Sequence, residues 1–63
     1  MEKPERRIFE RNGVVITHDI DGPTGDPRFW VIVDGERISG FASPDGHMAF
    51  RMAYSEARRC LAA

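Results

Sequence analysis

The chain has 63 residues, a length that predicts one domain spanning 1–63 with a small core. Its single cysteine excludes an internal disulfide, and its 41% hydrophobic and 30% charged residues are typical of a folded globular domain rather than a disordered one. The formal net charge of −1 argues against a dedicated nucleic-acid binder, because such proteins usually carry a clear basic surplus.

Three features of the sequence predict where in the cell the protein is found: the N-terminal segment, the length of the apolar runs and the single cysteine. Met1–Arg7 is charged and no apolar run follows it, so no signal peptide is expected. The longest apolar stretch, Phe29–Val33, is far shorter than the roughly 20 residues that a membrane-spanning helix needs. An unpaired thiol suits a reducing compartment, so we expect a cytoplasmic protein in which Cys60 is a small buried apolar residue.

Two dipeptides predict tight hairpin turns in the first two thirds of the chain. Asn12-Gly13 and Asp34-Gly35 both tolerate the positive φ angles of a type I′ turn. The segment 22–27 is a loop by its glycine and proline content. Between these breaks we expect four antiparallel strands: Ile8–Arg11, Val14–Ile20, Phe29–Val33 and Arg37–Ala42.

The last third of the chain changes to a helical period. Ser43 is expected to be the N-cap, with Pro44 at the first helical position and Asp45 in the first turn. Apolar residues then recur at three- and four-residue steps, as Ala49, Met52, Ala53, Ala57, Cys60 and Leu61. An alternative makes His47–Ala53 a fifth strand. The preferred fold class is α+β, a four-stranded antiparallel sheet in β-β-β-β-α order packed on one C-terminal helix.

Hairpin pairing predicts which side chains share a face of this sheet. Phe9 should lie opposite Ile16, Arg11 opposite Val14, Val31 opposite Ile38 and Val33 opposite Glu36, with Phe29 and Ala42 on that same face. Trp30, Ile32 and Phe41, with Arg37 and Ser39, fall on the other face. A single helix covers only one face. The surplus apolar surface is centred on Trp30 and Phe41. Either it is buried in a dimer or against a partner, or the N-terminal segment covers it, or a bulge turns Phe41 to the other face.

Residues that could carry catalysis or bind a metal form no recognisable pattern. The sequence has no recognisable motif that pairs a nucleophile with a base, and it has no glycine-rich phosphate-binding loop. We therefore expect no enzyme activity and no cofactor. Asp19, Asp21, Asp26, His18 and His47 match neither a calcium loop nor a structural zinc site, so no metal is expected. His18 alternates onto the face of Val14 and Ile16, at the mouth of the core.

Four aspartates, Asp19, Asp21, Asp26 and Asp45, are expected to lie at one end of the sheet. The segment 12–50 holds six acidic residues against two arginines. Aspartates at turns usually stabilise those turns. The alternative is an acidic patch that meets a basic surface of another protein, since complementary charge speeds encounter and suppresses wrong partners.

Residues 29–41 followed by a helix resemble the arm-binding DNA domains of tyrosine integrases, in which a three-stranded sheet enters the major groove. The resemblance implies a small DNA-binding module with Arg28, Arg37 and Arg51 as phosphate contacts. The acidic residues around these arginines depart from that pattern, because phosphate contacts supply most of such affinity.

The whole chain is similar in its size, its acidity and the simplicity of its fold to small proteins of phages and mobile elements, including anti-CRISPR inhibitors. That likeness implies occupation of a DNA-binding or subunit-docking surface of a CRISPR effector. The leading hypothesis is therefore a non-enzymatic protein-binding module that inhibits a nucleic-acid-handling complex. DNA binding by the sheet is the alternative, and a homodimer through the open sheet face is a third hypothesis. The predicted binding residues are Asp19, Asp21, Asp26, Asp45, Trp30 and Phe41.

Overall fold

A four-stranded antiparallel sheet and one helix make up the protein in a computed structural model that describes residues 5–62. The helix, α1, spans Gly46–Ala62, and the strands lie side by side in chain order: β1 (Arg6–Arg11), β2 (Val14–Ile20), β3 (Pro27–Val33) and β4 (Glu36–Ala42). The predicted α+β class and the β-β-β-β-α order are confirmed.

Both predicted hairpin turns are present, and they lie at the same end of the sheet. Asn12 and Gly13 have φ angles of 50° and 81°, and Asp34 and Gly35 have 52° and 85°, the signs that a type I′ turn requires. The backbone N–H of Asp34 donates to the carbonyl oxygen of Gly13 at 3.0 Å. This bond ties one turn to the other and fixes the adjacent ends of β2 and β3.

The register of the β3–β4 hairpin differs from the prediction beyond its turn. Val33 lies opposite Glu36 as expected, but Val31 lies opposite Ser39 and not opposite Ile38. Ile38 is the extra residue of a β-bulge, which places two β4 residues against one on β3. A second register shift lies in β1 between Arg7 and Phe9. The predicted pairs of Phe9 with Ile16 and of Arg11 with Val14 are confirmed.

The bulge moves Phe41 to the opposite side of the sheet from the one predicted. Phe41 lies opposite Phe29 and packs against the core beneath α1, whereas Ala42 lies opposite Arg28 on the uncovered face. The predicted face of Phe41 was wrong, and the alternative of a bulge that redirects Phe41 is confirmed. Side chains alternate along a strand, so one inserted residue exchanges the faces of all that follow. Of the two aromatic residues predicted for the open face, Trp30 alone lies there.

Helix α1 meets the sheet through a stripe of alanines. Ala49, Ala53 and Ala57 recur at every fourth position and are fully buried, so the helix backbone approaches the sheet closely. Across from them lie the buried residues of β2 and β3, namely Val14, Ile16, Phe29 and Val31. Because the fully buried residues of the helix contribute only methyl groups, the core is thin for its area.

Aromatic rings close the side of the core that faces β1. The ring of Phe50 lies 5.6 Å from that of Phe29 and 5.8 Å from that of Tyr54, and Tyr54 meets Phe9 edge to face at 5.6 Å. His18 stacks on Phe29 with ring centroids 4.7 Å apart, which confirms its predicted place at the mouth of the core. Cys60 is half-buried against the same core.

The start of α1 corrects the predicted cap. The Oδ1 atom of Asp45 accepts the backbone N–H groups of His47 at 3.0 Å and Met48 at 3.4 Å, so Asp45 is the N-cap and the helix begins at Gly46. Ser43 instead accepts the N–H of Asp45 at 3.2 Å and shapes the preceding turn. The alternative of a fifth strand at His47–Ala53 was wrong, because α1 is continuous from residue 46 to residue 62.

The cap gives a stability prediction. Replacing Asp45 with Ala should lower the free energy of unfolding by about 1 kcal/mol, since two backbone N–H groups lose their acceptor. Asp45→Asn is the matched control, because it removes the charge but keeps an oxygen that can cap, and its loss should be a few tenths of a kcal/mol. Urea denaturation of both variants checks this. Equal losses would show that the charge of Asp45, and not its cap, stabilises the helix.

Candidate functional site

Trp30 is at the centre of the sheet face that α1 leaves uncovered. It stands between Thr17 of β2 and Gly40 of β4 in the register. A Cβ atom added at Gly40 would lie 2.5 Å from Cζ3 of Trp30, so the indole ring rests directly on the glycine backbone. The guanidinium carbons of Arg28 and Arg37 lie 5.0 Å and 4.7 Å from the ring centroid, within the range of cation–π attraction.

Arg28 is held over this ring by two of the predicted binding residues. Its Nε and Nη2 atoms donate to the two carboxylate oxygens of Asp19 at 2.9 Å and 2.7 Å, and its Nη1 atom donates to Asp21 at 3.0 Å. The indole Nε1 of Trp30 also donates to Asp19, at 3.4 Å. The bidentate geometry is the strong form of an arginine–carboxylate pair. The charges of Asp19 and Asp21 are therefore largely offset by Arg28.

Arg37 is anchored from the opposite edge of the sheet. Its guanidinium donates to the carboxylate of Glu5, and the hydroxyl of Thr17 donates to the other oxygen of that carboxylate. Thr17 is buried, so this bond satisfies a hydroxyl that would otherwise lose its partner. Arg28 and Arg37 lie over Trp30, and Glu5 holds Arg37 there. The chain's own side chains therefore cover part of the indole ring, which is half-buried.

Asp19 shows the electrostatic effect of this network. The hydrogen bonds from Arg28 hold the pKa of Asp19 below its ordinary value of 3.8, against the opposing effect of burial, with smaller contributions from Trp30 and Arg37. In return, Asp19 raises the pKa of Arg28. The pair stays ionised in moderately acidic solution.

The other predicted aspartates have local structural roles. Asp21 also accepts the hydroxyl of Thr24 at 2.6 Å, and the Asp26 backbone closes the same loop through its bond from the Asp21 N–H at 2.9 Å. Asp45 caps α1. Within residues 5–62, no ion pair involves Asp26 or Asp45. Only these two of the four carry a charge that the described chain leaves uncompensated.

A groove lies between β4 and α1 and is lined in part by exposed apolar side chains. Phe41 lies on its sheet side and Met48 and Met52 on its helix side, and the two methionines are 55% and 47% exposed. Its volume is about 660 Å³. Polar and charged residues complete the lining: Asp45, His47, Arg51, Ser55 and Glu56. We call this the β4–α1 groove.

Sequence reasoning missed this groove for two reasons. Phe41 was assigned to the wrong face, and Met52 was counted within the buried stripe, although the stripe that is buried consists of the three alanines. The signal that could have found it is the pair Met48 and Met52, which lie four residues apart and therefore on one side of a helix.

The strand edge beside the groove has unpaired backbone groups. The N–H of Ser43 donates to the carbonyl of Pro27 at 3.3 Å, so Ser43, Phe41 and Ser39 bond inward to β3. Because hydrogen-bonding residues alternate along an antiparallel pair, Gly40 and Ala42 direct their N–H and C=O groups outward. The segment Ser39–Ala42 carries no charge.

The other edge strand, β1, is protected by its sequence. Four of its six residues, Arg6, Arg7, Glu10 and Arg11, are charged, and a register shift interrupts it. Charged side chains and bulges are the usual means of preventing a strand edge from pairing. β4 also has two charged residues and a bulge, but these lie at residues 36–38, so its Ser39–Ala42 segment stays open to further pairing.

The arginines that the DNA-binding alternative assigns to phosphate contacts do not share a surface. Arg28 and Arg37 lie on the open sheet face, each in an ion pair. Arg51 lies on α1, at the groove on the other side of the sheet. Three phosphate contacts from one docking face are not available in this arrangement.

Comparison with known proteins finds no family model, no curated protein and no solved structure that matches the chain. Among residues 5–62, no three histidine, cysteine, aspartate or glutamate side chains come together as a metal site would require. The described part of the chain holds no helix both long and apolar enough to cross a membrane.

The contact between Trp30 and Gly40 gives a packing prediction. Gly40→Ala should lower the free energy of unfolding by about 1–3 kcal/mol, because the added methyl group displaces the indole ring from the sheet. Gly22→Ala is the matched control, since a Cβ at Gly22 meets no atom within 4 Å. Thermal unfolding followed by the fluorescence of Trp30, the only tryptophan, measures both. Equal stability of the two variants would contradict the packing.

The lowered pKa of Asp19 gives a pH prediction. Asp19→Asn should destabilise the protein by about 1 kcal/mol at neutral pH, because a charge-assisted hydrogen bond at a partly exposed site is lost. The folded state binds the proton more weakly than the unfolded state does, so this advantage of the wild type is present above pH 3.8 and fades as the pH falls through the lowered pKa.

Urea titrations over a range of acidic pH, with Asp26→Asn as the control that breaks no ion pair, test this dependence. A difference between wild type and Asp19→Asn that stays constant well below pH 3.8 would show that the carboxylate charge contributes nothing.

Proposed function

We propose that the protein is a non-enzymatic protein-binding module that recognises its partner through the β4–α1 groove. One observation carries the proposal: exposed apolar side chains line a groove beside the uncharged Ser39–Ala42 segment of an edge strand, which can accept another strand. Exposed apolar patches bordered by polar residues mark interaction sites. Strand addition at a sheet edge is a common mode of protein recognition.

The polar residues of the groove support binding rather than catalysis. Ser55 and His47 both line it, but they lie eight residues apart on α1, a separation of about 12 Å along the helix axis. A nucleophile and its base must be within hydrogen-bonding distance. The carboxylate of Asp45 is already occupied by backbone N–H groups at the helix start. The groove therefore offers recognition chemistry.

The partner class we propose is a protein complex that handles nucleic acid, inhibited by occupation of a docking surface. The surplus of acidic residues in the segment 12–50 supports a basic partner, with Asp26 and Asp45 as the aspartates that form no ion pair in the described residues. Docking through the groove is favoured over docking through the predicted acidic patch, because Asp19 and Asp21 already share Arg28. The CRISPR-effector form of this proposal rests on the likeness in size and composition.

Affinity capture with matched variants tests the proposal. The wild-type chain, immobilised and exposed to a nuclease-treated extract of its own cells, should retain one protein complex in near-stoichiometric amount. Met52→Glu places a charge in the groove and should abolish the capture. Ile8→Glu is the control, since Ile8 is 46% exposed on the opposite edge strand, and it should bind as the wild type does.

A second variant distinguishes binding through the groove from binding through the acidic end of the sheet. Asp26→Lys leaves the groove unchanged and should weaken capture only modestly. Loss of capture with Asp26→Lys and not with Met52→Glu would assign recognition to the acidic end. Recovery of duplex DNA in place of protein, with a steep dependence on salt, would support the DNA-binding alternative.

A further inference from the structure

We infer that the β4–α1 groove is occupied by a second copy of this chain, with β4 pairing antiparallel to β4 of the copy about a two-fold axis at Phe41. This inference rests on the proposed binding function of the same groove, where a second copy and the partner complex compete, so the free chain is the dimer. The product is one continuous eight-stranded sheet with both helices on the same side.

The backbone pattern of β4 suits this pairing. Gly40 and Ala42 direct their N–H and C=O groups outward. When the second copy runs antiparallel about an axis at Phe41, Gly40 of each copy lies opposite Ala42 of the other. Each such pair exchanges two hydrogen bonds, so four form across the axis. The two Phe41 rings then lie in a non-hydrogen-bonded pair, where facing side chains approach most closely.

The side chains of this segment leave the edge unobstructed. Gly40 and Ala42 lie on the uncovered sheet face and carry little or no side chain, so nothing there blocks an added strand. The bulge at Ile38 ends the regular segment on one side, and Pro44, which lacks an N–H, ends it on the other. Pairing is therefore limited to the residues that carry no charge.

The distance between the two helices of such a dimer indicates which side chains fill the groove. Helix α1 packs mainly against β3, and strands lie about 4.8 Å apart, so the helices of the two copies would be about 14 Å apart across the axis. Helices in direct contact are about 8–10 Å apart. Met48 and Met52 from each copy, together with both Phe41 rings, have the length to fill the difference.

Two features favour a second copy over an unrelated strand. The core is thin, with Ile16 and Val31 its only large side chains that are completely buried in the described chain, and small domains commonly gain the missing burial by oligomerising. The assembly also closes, because pairing through β4 leaves the two charged β1 strands as the outer edges. With a net charge of −1 each, the copies repel little.

Sedimentation velocity and native mass spectrometry of the full chain test the inference. From low micromolar to near-millimolar concentration, the wild type should be a dimer of twice 7.1 kDa. Ala42→Pro should be a monomer, because it removes an outward N–H that bonds nothing within one copy and keeps the inward bonds to β3. Met52→Glu should also be a monomer, and Ile8→Glu should remain a dimer.

Far-UV circular dichroism and Trp30 fluorescence confirm that each variant is folded, and Met52 is 47% exposed, so its replacement leaves the core intact. A monomeric wild type, or a dimer that both Ala42→Pro and Met52→Glu leave intact, overturns the inference. The proposed function has a separate readout. A monomer whose captured partner is lost with Met52→Glu places another protein in the groove and leaves the binding function in force.

Discussion

A single helix can cover only one face of a four-stranded sheet, and this constraint governs the rest of the structure. The hairpin of β3 and β4 is rich in apolar residues at successive positions, so both faces need cover. The bulge at Ile38 transfers Phe41 to the helix side, and Arg28 and Arg37 cover part of Trp30 on the other. Part of the apolar surface that remains exposed, at Met48 and Met52, lies at the rim of the helix beside the free edge of β4.

Local signals were sufficient for the elements and their order. The Asn-Gly and Asp-Gly pairs have few conformations other than a tight turn, and their two-residue loops fix the register next to them. The surplus of apolar residues allowed for a bulge but did not place it, because Ile38 is an ordinary strand residue and only packing beyond the hairpin favours its insertion. The helix start offered two good caps, Ser43 and Asp45, and the choice depends on which one reaches two N–H groups.

The charged network around Trp30 was harder to predict than the fold, because it depends on the pairing of β2 with β3. A six-residue loop joins these strands, and a loop of that length does not fix register as a two-residue turn does. The opposition of Asp19 and Arg28 was therefore not visible in the sequence. Asp19 and Asp21 were predicted to form an acidic patch, and Arg28 was predicted to contact phosphate. In the structure Arg28 forms ion pairs with both aspartates. The exposed methionines were identifiable in principle, but only once the alanines were known to fill the helix interface.

The alanine stripe of α1 has a consequence for how this groove could diverge. Ala49, Ala53 and Ala57 set the distance between helix and sheet, and that distance sets how deep the groove is, although none of the three lines it. A bulkier residue in the stripe would lift the helix and open a wider channel, and a smaller one would let it settle and narrow the channel. The shape that an occupant meets is therefore adjustable from inside the core, with every contacting side chain left unchanged.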